Sequence, residues 1–239
     1  MKTLKENVKA FDADVENNEG YLYTTNMRLS SVLSTKRSKE EVLAMLDDNV
    51  HTAIDIGTGD GAIINAILQQ RPGLKITGID PAAKAIQKAA QKYKNIEFLV
   101  GNILEPATLP AQKFDMAMFL GVLHHVSDPK QAIANATLLS ECLLILEPNG
   151  NNPILKVIEK LSPYHRKHEE QSFRSSVLKA WCKDSGYVVE RTAFIGFVPI
   201  LFPDFLARLI YFFQPFLEKI YPLKKYLGSQ IVMLCRKSI

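Results

Sequence analysis

Several features are scarce in this chain, and each scarcity excludes something. Only three cysteines occur in 239 residues. Cys142, Cys182 and Cys235 are far apart and odd in number, so neither a disulfide framework nor a zinc-ligand spacing is present; buried thiols are expected. No run of 18 uninterrupted apolar residues exists, so no membrane-spanning helix is expected. The opening residues, Met1-Lys2-Thr3-Leu4-Lys5-Glu6-Asn7, lack an apolar signal region, and a cytoplasmic location is the resulting expectation. Strong charge of one sign is also lacking: the formal net charge is +4. No internal repeat or low-complexity tract is visible. Apolar residues are plentiful instead. At 47% of the chain they suffice for a full core in one large domain.

The run Ala53-Ile54-Asp55-Ile56-Gly57-Thr58-Gly59-Asp60-Gly61 reads as a buried strand entering a glycine-rich turn. Gly57, Gly59 and Gly61 allow a sharp turn with no side chain between backbone and ligand. A helix is predicted over 62–71, with its first N–H groups pointing back at the turn, which suits a nucleotide-like cofactor. Further apolar runs follow. Lys75 to Asp80 ends in a carboxylate, placed about 20 residues past the turn, where an acid can reach a ribose hydroxyl pair. Ile96 to Asn102 ends in an amide, Phe114 to Leu120 is a fourth strand, and Cys142 to Glu147 is a fifth. Helices are predicted at 82–93 and 129–140. Alternation of apolar strands with helices means a parallel sheet covered on both faces. Ligands of such sheets sit beyond the carboxyl ends of the strands.

Residues 50–150 resemble the core of a class I S-adenosylmethionine-dependent methyltransferase. The resemblance rests on Asp-x-Gly-x-Gly-x-Gly at 55–61, Gly78-Ile79-Asp80, Gly101-Asn102, and Leu120-Gly121-Val122-Leu123-His124-His125. It implies a Rossmann-like α/β fold: seven strands, mostly parallel, the last antiparallel, with helices on both faces. It implies S-adenosyl-L-methionine as cofactor, held by Asp55, Gly57, Thr58, Gly59, Gly61, Asp80, Pro81, Asn102, Ile103 and Leu120. In the family the acid matching Asp80 holds the ribose, the position of Asn102 contacts the adenine amine, and that of Ile103 lies along the ring. Asn102 stands where Asp is commoner, yet an amide oxygen can accept from an amine. An N-terminal segment often folds over the cofactor, which places Tyr21 or Tyr23 as a closing aromatic. The resemblance also implies three parts: a helical cap at 1–48, the cofactor-binding core at 49–150, and a C-terminal half at 151–239 with a substrate-covering insertion at 203–226.

A nicotinamide enzyme is the competing reading of the core. Its fingerprint is G-x-G-x-x-G, whereas the third glycine here comes one residue early. Amine-methylating enzymes of nucleic-acid bases carry an Asn/Asp-Pro-Pro-aromatic motif after the fourth strand. Leu120-Gly121-Val122-Leu123 stands there instead and resembles the small-molecule branch.

Methyl transfer to a hydroxyl requires alignment, exclusion of water and a base. His124 and His125 follow the fourth strand and are the first candidates, because imidazole titrates near neutrality. His165 is the third, in the charged cluster Tyr164 to Glu170. Two histidines and an acid there are too few for a metal, and none is expected. Glu147 is expected to orient a loop or the substrate, and Asn149, Asn151 and Asn152 offer hydrogen bonds nearby.

From Pro203 to the end, Arg208, Lys219, Lys224, Lys225, Arg236 and Lys237 outnumber Asp204 and Glu218. Seven aromatics share this stretch, from Phe205 to Tyr226. A basic, aromatic, amphipathic segment suits an anionic membrane surface, a cover for a lipid-like acceptor, or helices packed on the core or in a homodimer. Nucleic acid is disfavoured, since the charges do not track a phosphate backbone. Local signals also predict a helix over 38–47 capped by Ser38 with Glu41, and another over 173–185 ending at Gly186. Between them in the chain, 151–171 reads as a long connection. A sixth strand is expected over 187–197, and short helices over 203–226 broken by Pro215 and Pro222. A last strand is expected over 230–236. The expected activity is methylation of a small or lipid-like acceptor, with oxygen as target. An RNA or protein methyltransferase docking through the basic tail, or a non-catalytic cofactor-binding module, are the rivals.

Overall fold

A computed structural model describes residues 28–161, 171–199 and 202–238. Tyr21, Tyr23 and the 164–170 cluster with His165 lie outside the described residues.

Seven strands form one sheet: β1 (Thr52–Ile56), β2 (Lys75–Asp80), β3 (Glu97–Val100), β4 (Met116–Leu120), β5 (Cys142–Pro148), β6 (Tyr187–Ile195) and β7 (Gln230–Lys237). Their order is β3-β2-β1-β4-β5-β7-β6. The pairs from β3 through β5 are parallel, and β7 runs antiparallel to both β5 and β6. The described helices are α1 (Leu29–Met45), α2 (Ala62–Leu68), α3 (Ala83–Lys92), α4 (Pro129–Ala136), α5 (Pro153–Leu161), α6 (Ser175–Asp184), α7 (Asp204–Leu217) and α8 (Tyr221–Leu227).

The central strands are apolar throughout because each serves two cores. Successive side chains point to opposite faces. Ile54, Ile56, Ala117, Phe119, Leu143, Ile145, Ile231 and Met233 join one cluster with α4 and α6. Ala53, Met116, Met118, Leu144, Val232 and Leu234 join the other with α1 and α2. The three cysteines are free and buried, and burial pushes the Cys142 thiol up to about 11.

Two local expectations are overturned. Helix α1 begins at Leu29, so Ser38 lies mid-helix and caps nothing. Its hydroxyl faces the Ser34 carbonyl one turn back and Gln230 Oε1 of β7, the two competing for its one proton. Glu41 pairs with Arg37 rather than closing a capping box. Nor does Pro215 break the insertion, because α7 runs through it to Leu217. A proline this near the end forfeits one intrahelical bond, and the flanks are anchored. Buried Gln214 accepts from the Phe197 amide, while Glu218 accepts from Arg37 and the Gly196 amide. Pro222 opens α8 in the first turn, where a missing N–H is harmless. Within the 151–171 connection stands α5.

Candidate active site

The carboxyl ends of β1, β2, β4 and β5 converge on the glycine turn. The turn is sewn to β2: the Gly57 and Thr58 amides both donate to the Ile79 carbonyl, at 2.8 and 3.0 Å. Asp80, last in β2, accepts from the Gly59 amide at 2.9 Å and from the Ala82 amide at 2.8 Å. Gly57 takes φ +78, and a Cβ there would lie 2.2 Å from Val122 Cγ2. Only glycine fits, for reasons both of conformation and of space. Gly78 likewise leaves room for Thr58, whose side-chain atoms would stand 2.8 Å from an added Cβ.

Asp55 is buried beneath this turn, and its Oδ1 has no hydrogen-bond partner. Burial pushes its carboxyl up to about 7, and the nearby charge of Asp80 adds to the rise. The Thr58 hydroxyl lies toward it and eases the rise, but its position falls short of a hydrogen bond, and Oγ1 is also unpartnered. Buried polar atoms without partners are uncommon and call for an explanation.

Past β3, Asn102 forms an Asx turn. Its Oδ1 accepts from the Leu104 amide at 3.0 Å and its Nδ2 donates to Glu105. Ile103 is buried in the core, and its carbonyl accepts from Asn135. Leu120 is buried at the end of β4, and Pro81 is half-buried.

The loop after β4 is held by Glu147. This carboxylate is fully buried within β5. Its Oε1 accepts from the Val122 and Leu123 amides at 2.8 and 2.7 Å. Its Oε2 lies 2.7 Å from His124 Nδ1. His125 tilts against the His124 ring with centroids 3.9 Å apart. The sequence-predicted residues Asp55, Gly57, Thr58, Gly59, Gly61, Asp80, His124 and His125 thus gather along one edge of the sheet. Sequence reading missed Val122. An aliphatic residue in an apolar run reads as core, and no one-dimensional signal places it on Gly57. A cleft lined by Asn65, Gln69, Lys75, Asn95 and Lys113 opens at the opposite edge, at the amino ends of β1 and β2, away from this chemistry. Among the described residues no cluster of metal-ligating side chains occurs.

Residues 54–143 match the family model described as a methyltransferase domain. The demethylmenaquinone methyltransferase of Thermotoga maritima is 28% identical over 182 residues, covering 75% of this chain and 72% of that protein. A ubiquinone biosynthesis O-methyltransferase of Saccharophagus degradans is 26% identical over 172 residues, covering 62% of this chain and 67% of its own length. The chain spans about half the length of other curated relatives, 45% and 49%. The crystal structure of an S-adenosylmethionine-dependent methyltransferase from Thermotoga maritima superposes with TM-score 0.66 at 17% identity, covering 96% of this chain and 99% of that one.

The fold and the glycine-turn edge define a methyltransferase of the Rossmann-like kind. Residues 54–143 carry the methyltransferase-domain match, the chain resembles the class I S-adenosylmethionine-dependent methyltransferases, and the cofactor is S-adenosyl-L-methionine. The residues present fit that group. The unpartnered carboxyl oxygen of Asp55, beneath the glycine turn, suits a ligand that brings positive charge. S-adenosylmethionine carries both an ammonium and a sulfonium.

Proposed function

We propose that this enzyme methylates a hydroxyl group on a small, lipid-like acceptor, with His124 as general base. The observation that carries the reading is the Glu147–His124 contact of 2.7 Å. Two backbone N–H groups donate to Glu147 Oε1 and fix the carboxylate in place. Its Oε2 is then an acceptor facing Nδ1, so the imidazole carries its proton on Nδ1. That leaves Nε2 as the basic nitrogen. A base oriented by a buried carboxylate is a recurrent arrangement for removing a hydroxyl proton.

Asp55 and Asp80 would hold the cofactor across the 57–61 turn, whose glycines let it approach the backbone, with Thr58, Pro81, Asn102, Ile103 and Leu120 beside them. Bound S-adenosylmethionine supplies an electrophilic methyl group. His124 Nε2 takes the proton of the acceptor hydroxyl as the oxygen becomes nucleophilic. His125 tilts against the His124 ring and packs beside it. The half-buried loop carrying both histidines keeps bulk water from the transfer path.

Two relatives act on quinone-type compounds by their names, which supports a lipid-like acceptor and, for the second, oxygen as target. The test is a transfer assay with methyl-labelled S-adenosylmethionine against a panel of catechols, hydroquinones and matched amines. Label should appear in hydroxyl acceptors, and His124→Ala should slow it at least about a hundredfold. Transfer to amines alone, or full activity in His124→Ala, would overturn the assignment.

A further inference from the structure

Three helices enter or leave the sheet at the same edge as the site. The chain leaves the carboxyl end of β5 into α5, leaves β6 toward α7, and passes from α8 into the start of β7, which pairs with the end of β5. Asn149 and Asn152 hold this edge together. Their side-chain amides donate to the carbonyls of Lys225, Leu227 and Gly228 at the end of α8.

Helix α7 is apolar on the wrong side for a packed helix. Its inward residues include buried Ala207 and Gln214. Its outward stripe is Phe205, Leu209, Phe212, Phe213 and Phe216, with Phe212 76% and Phe205 69% exposed. These positions fall on one arc about 100° wide at 3.6 residues per turn. Helix α5 repeats the pattern at helical spacing: Ile154, Val157, Ile158 and Leu161 are all exposed. Tyr221 and Tyr226 of α8 are exposed as well. So much outward aromatic surface is unusual unless something covers it.

Charge selects the occupant. Arg208 and Lys219 are exposed beside the α7 stripe, and Lys225 lies over the rings of Tyr221 and Tyr226, at 6.0 and 5.2 Å. Lys224 neighbours it. The acids of this segment do not cancel the cations: Glu218 is locked to Arg37, leaving Asp204 at the far end of α7. A second copy would bring a like-charged rim against this one. An anionic bilayer presents phosphate and carboxylate at the rim and hydrocarbon to the stripe. A 14-residue helix is too short to cross, and none of the described helices is long and apolar enough to do so.

We propose that the outward faces of α7 and α8, flanked by α5, dock this protein on an anionic membrane surface, with the aromatic stripe at the level of the acyl boundary. Docking is independent of which acceptor is methylated.

The test is sedimentation of the full chain with phosphatidylcholine vesicles, with and without about a third phosphatidylglycerol. The protein should partition to the anionic vesicles, and salt should weaken that binding. Phe212→Ser with Phe216→Ser should reduce partitioning at least about tenfold, and so should Lys224→Glu with Lys225→Glu. S-adenosylmethionine affinity, measured by calorimetry, should be unchanged in both and reports that each is folded. Wild-type protein that stays in the supernatant, or sediments equally with neutral vesicles, overturns the proposal. So does partitioning that survives both double substitutions. Concentration-dependent dimerisation lost in Phe212→Ser/Phe216→Ser, without vesicle binding, would assign the face to a second copy instead.

Discussion

Val122 occupies the space that a side chain on Gly57 would need: its Cγ2 would lie 2.2 Å from a Cβ built there. The loop after β4 and the glycine turn after β1 are therefore fitted to each other. Gly57→Ala combines a left-handed backbone with a steric overlap. The first costs about 1 kcal/mol and the second about 1–3 kcal/mol. Urea denaturation should report a loss of roughly 2–4 kcal/mol. Adding Val122→Ala should restore only the steric part. Equal stability of Gly57→Ala and wild type would refute the fit.

Asp55 makes the unliganded protein sensitive to pH. Its carboxyl lies at about 7 in the fold against an ordinary 3.8. An acid with a raised folded-state pKa binds its proton more tightly when folded. Its contribution is therefore most favourable at low pH and is lost as pH rises from about 4 through about 7. Asp55→Asn should leave stability near that of wild type at pH 4. It should exceed wild type at pH 8, by at most about 4 kcal/mol. The same substitution should weaken S-adenosylmethionine binding, because a carboxylate that matches a cation has been removed. Thermal melts across pH with a constant difference between the two proteins would contradict the assignment.

Glu147→Gln probes the tautomer of His124 without changing shape. The Val122 and Leu123 amides demand an oxygen, so the glutamine NH2 must face Nδ1. The imidazole then carries its proton on Nε2 and cannot accept one from a hydroxyl. Turnover should fall by about 10²–10⁴ with cofactor affinity retained. A proportionate loss of both would mark Glu147 as a purely structural residue, as would an unshifted pH–rate profile.

Asp80→Ala acts twice. It removes the acceptor of the Gly59 amide and the acid assigned to the cofactor ribose. Calorimetry should show S-adenosylmethionine binding weakened at least about tenfold. The Asp55 carboxyl should titrate lower, since Asp80 contributes to its upward shift. Unchanged affinity would remove Asp80 from the site.

The sheet was legible because two-sided burial writes itself as apolar runs of the right length, punctuated by Gly, Asp and Asn. The glycine turn and Asp80 followed from spacing. Local capping signals misled at Ser38, where the contact with Gln230, 192 residues away, outweighs cap propensity. Pro215 misled for the same reason: its helix is held by Arg37 and by the Gly196–Phe197 backbone, none of them near in sequence. The pairing of His124 with Glu147 joins two strand ends, and only the order β4–β5 makes it visible.

The strand order carries a consequence for synthesis. β7 follows β6 in the chain yet sits between β5 and β6. Until it leaves the ribosome, β5 offers a naked edge of apolar residues and β6 has no sheet to join. The carboxyl-end tie from Asn149 and Asn152 to Gly228 waits for the same event. A chain lacking residues from 230 onward would thus hold a five-stranded sheet with an open edge prone to adhesion.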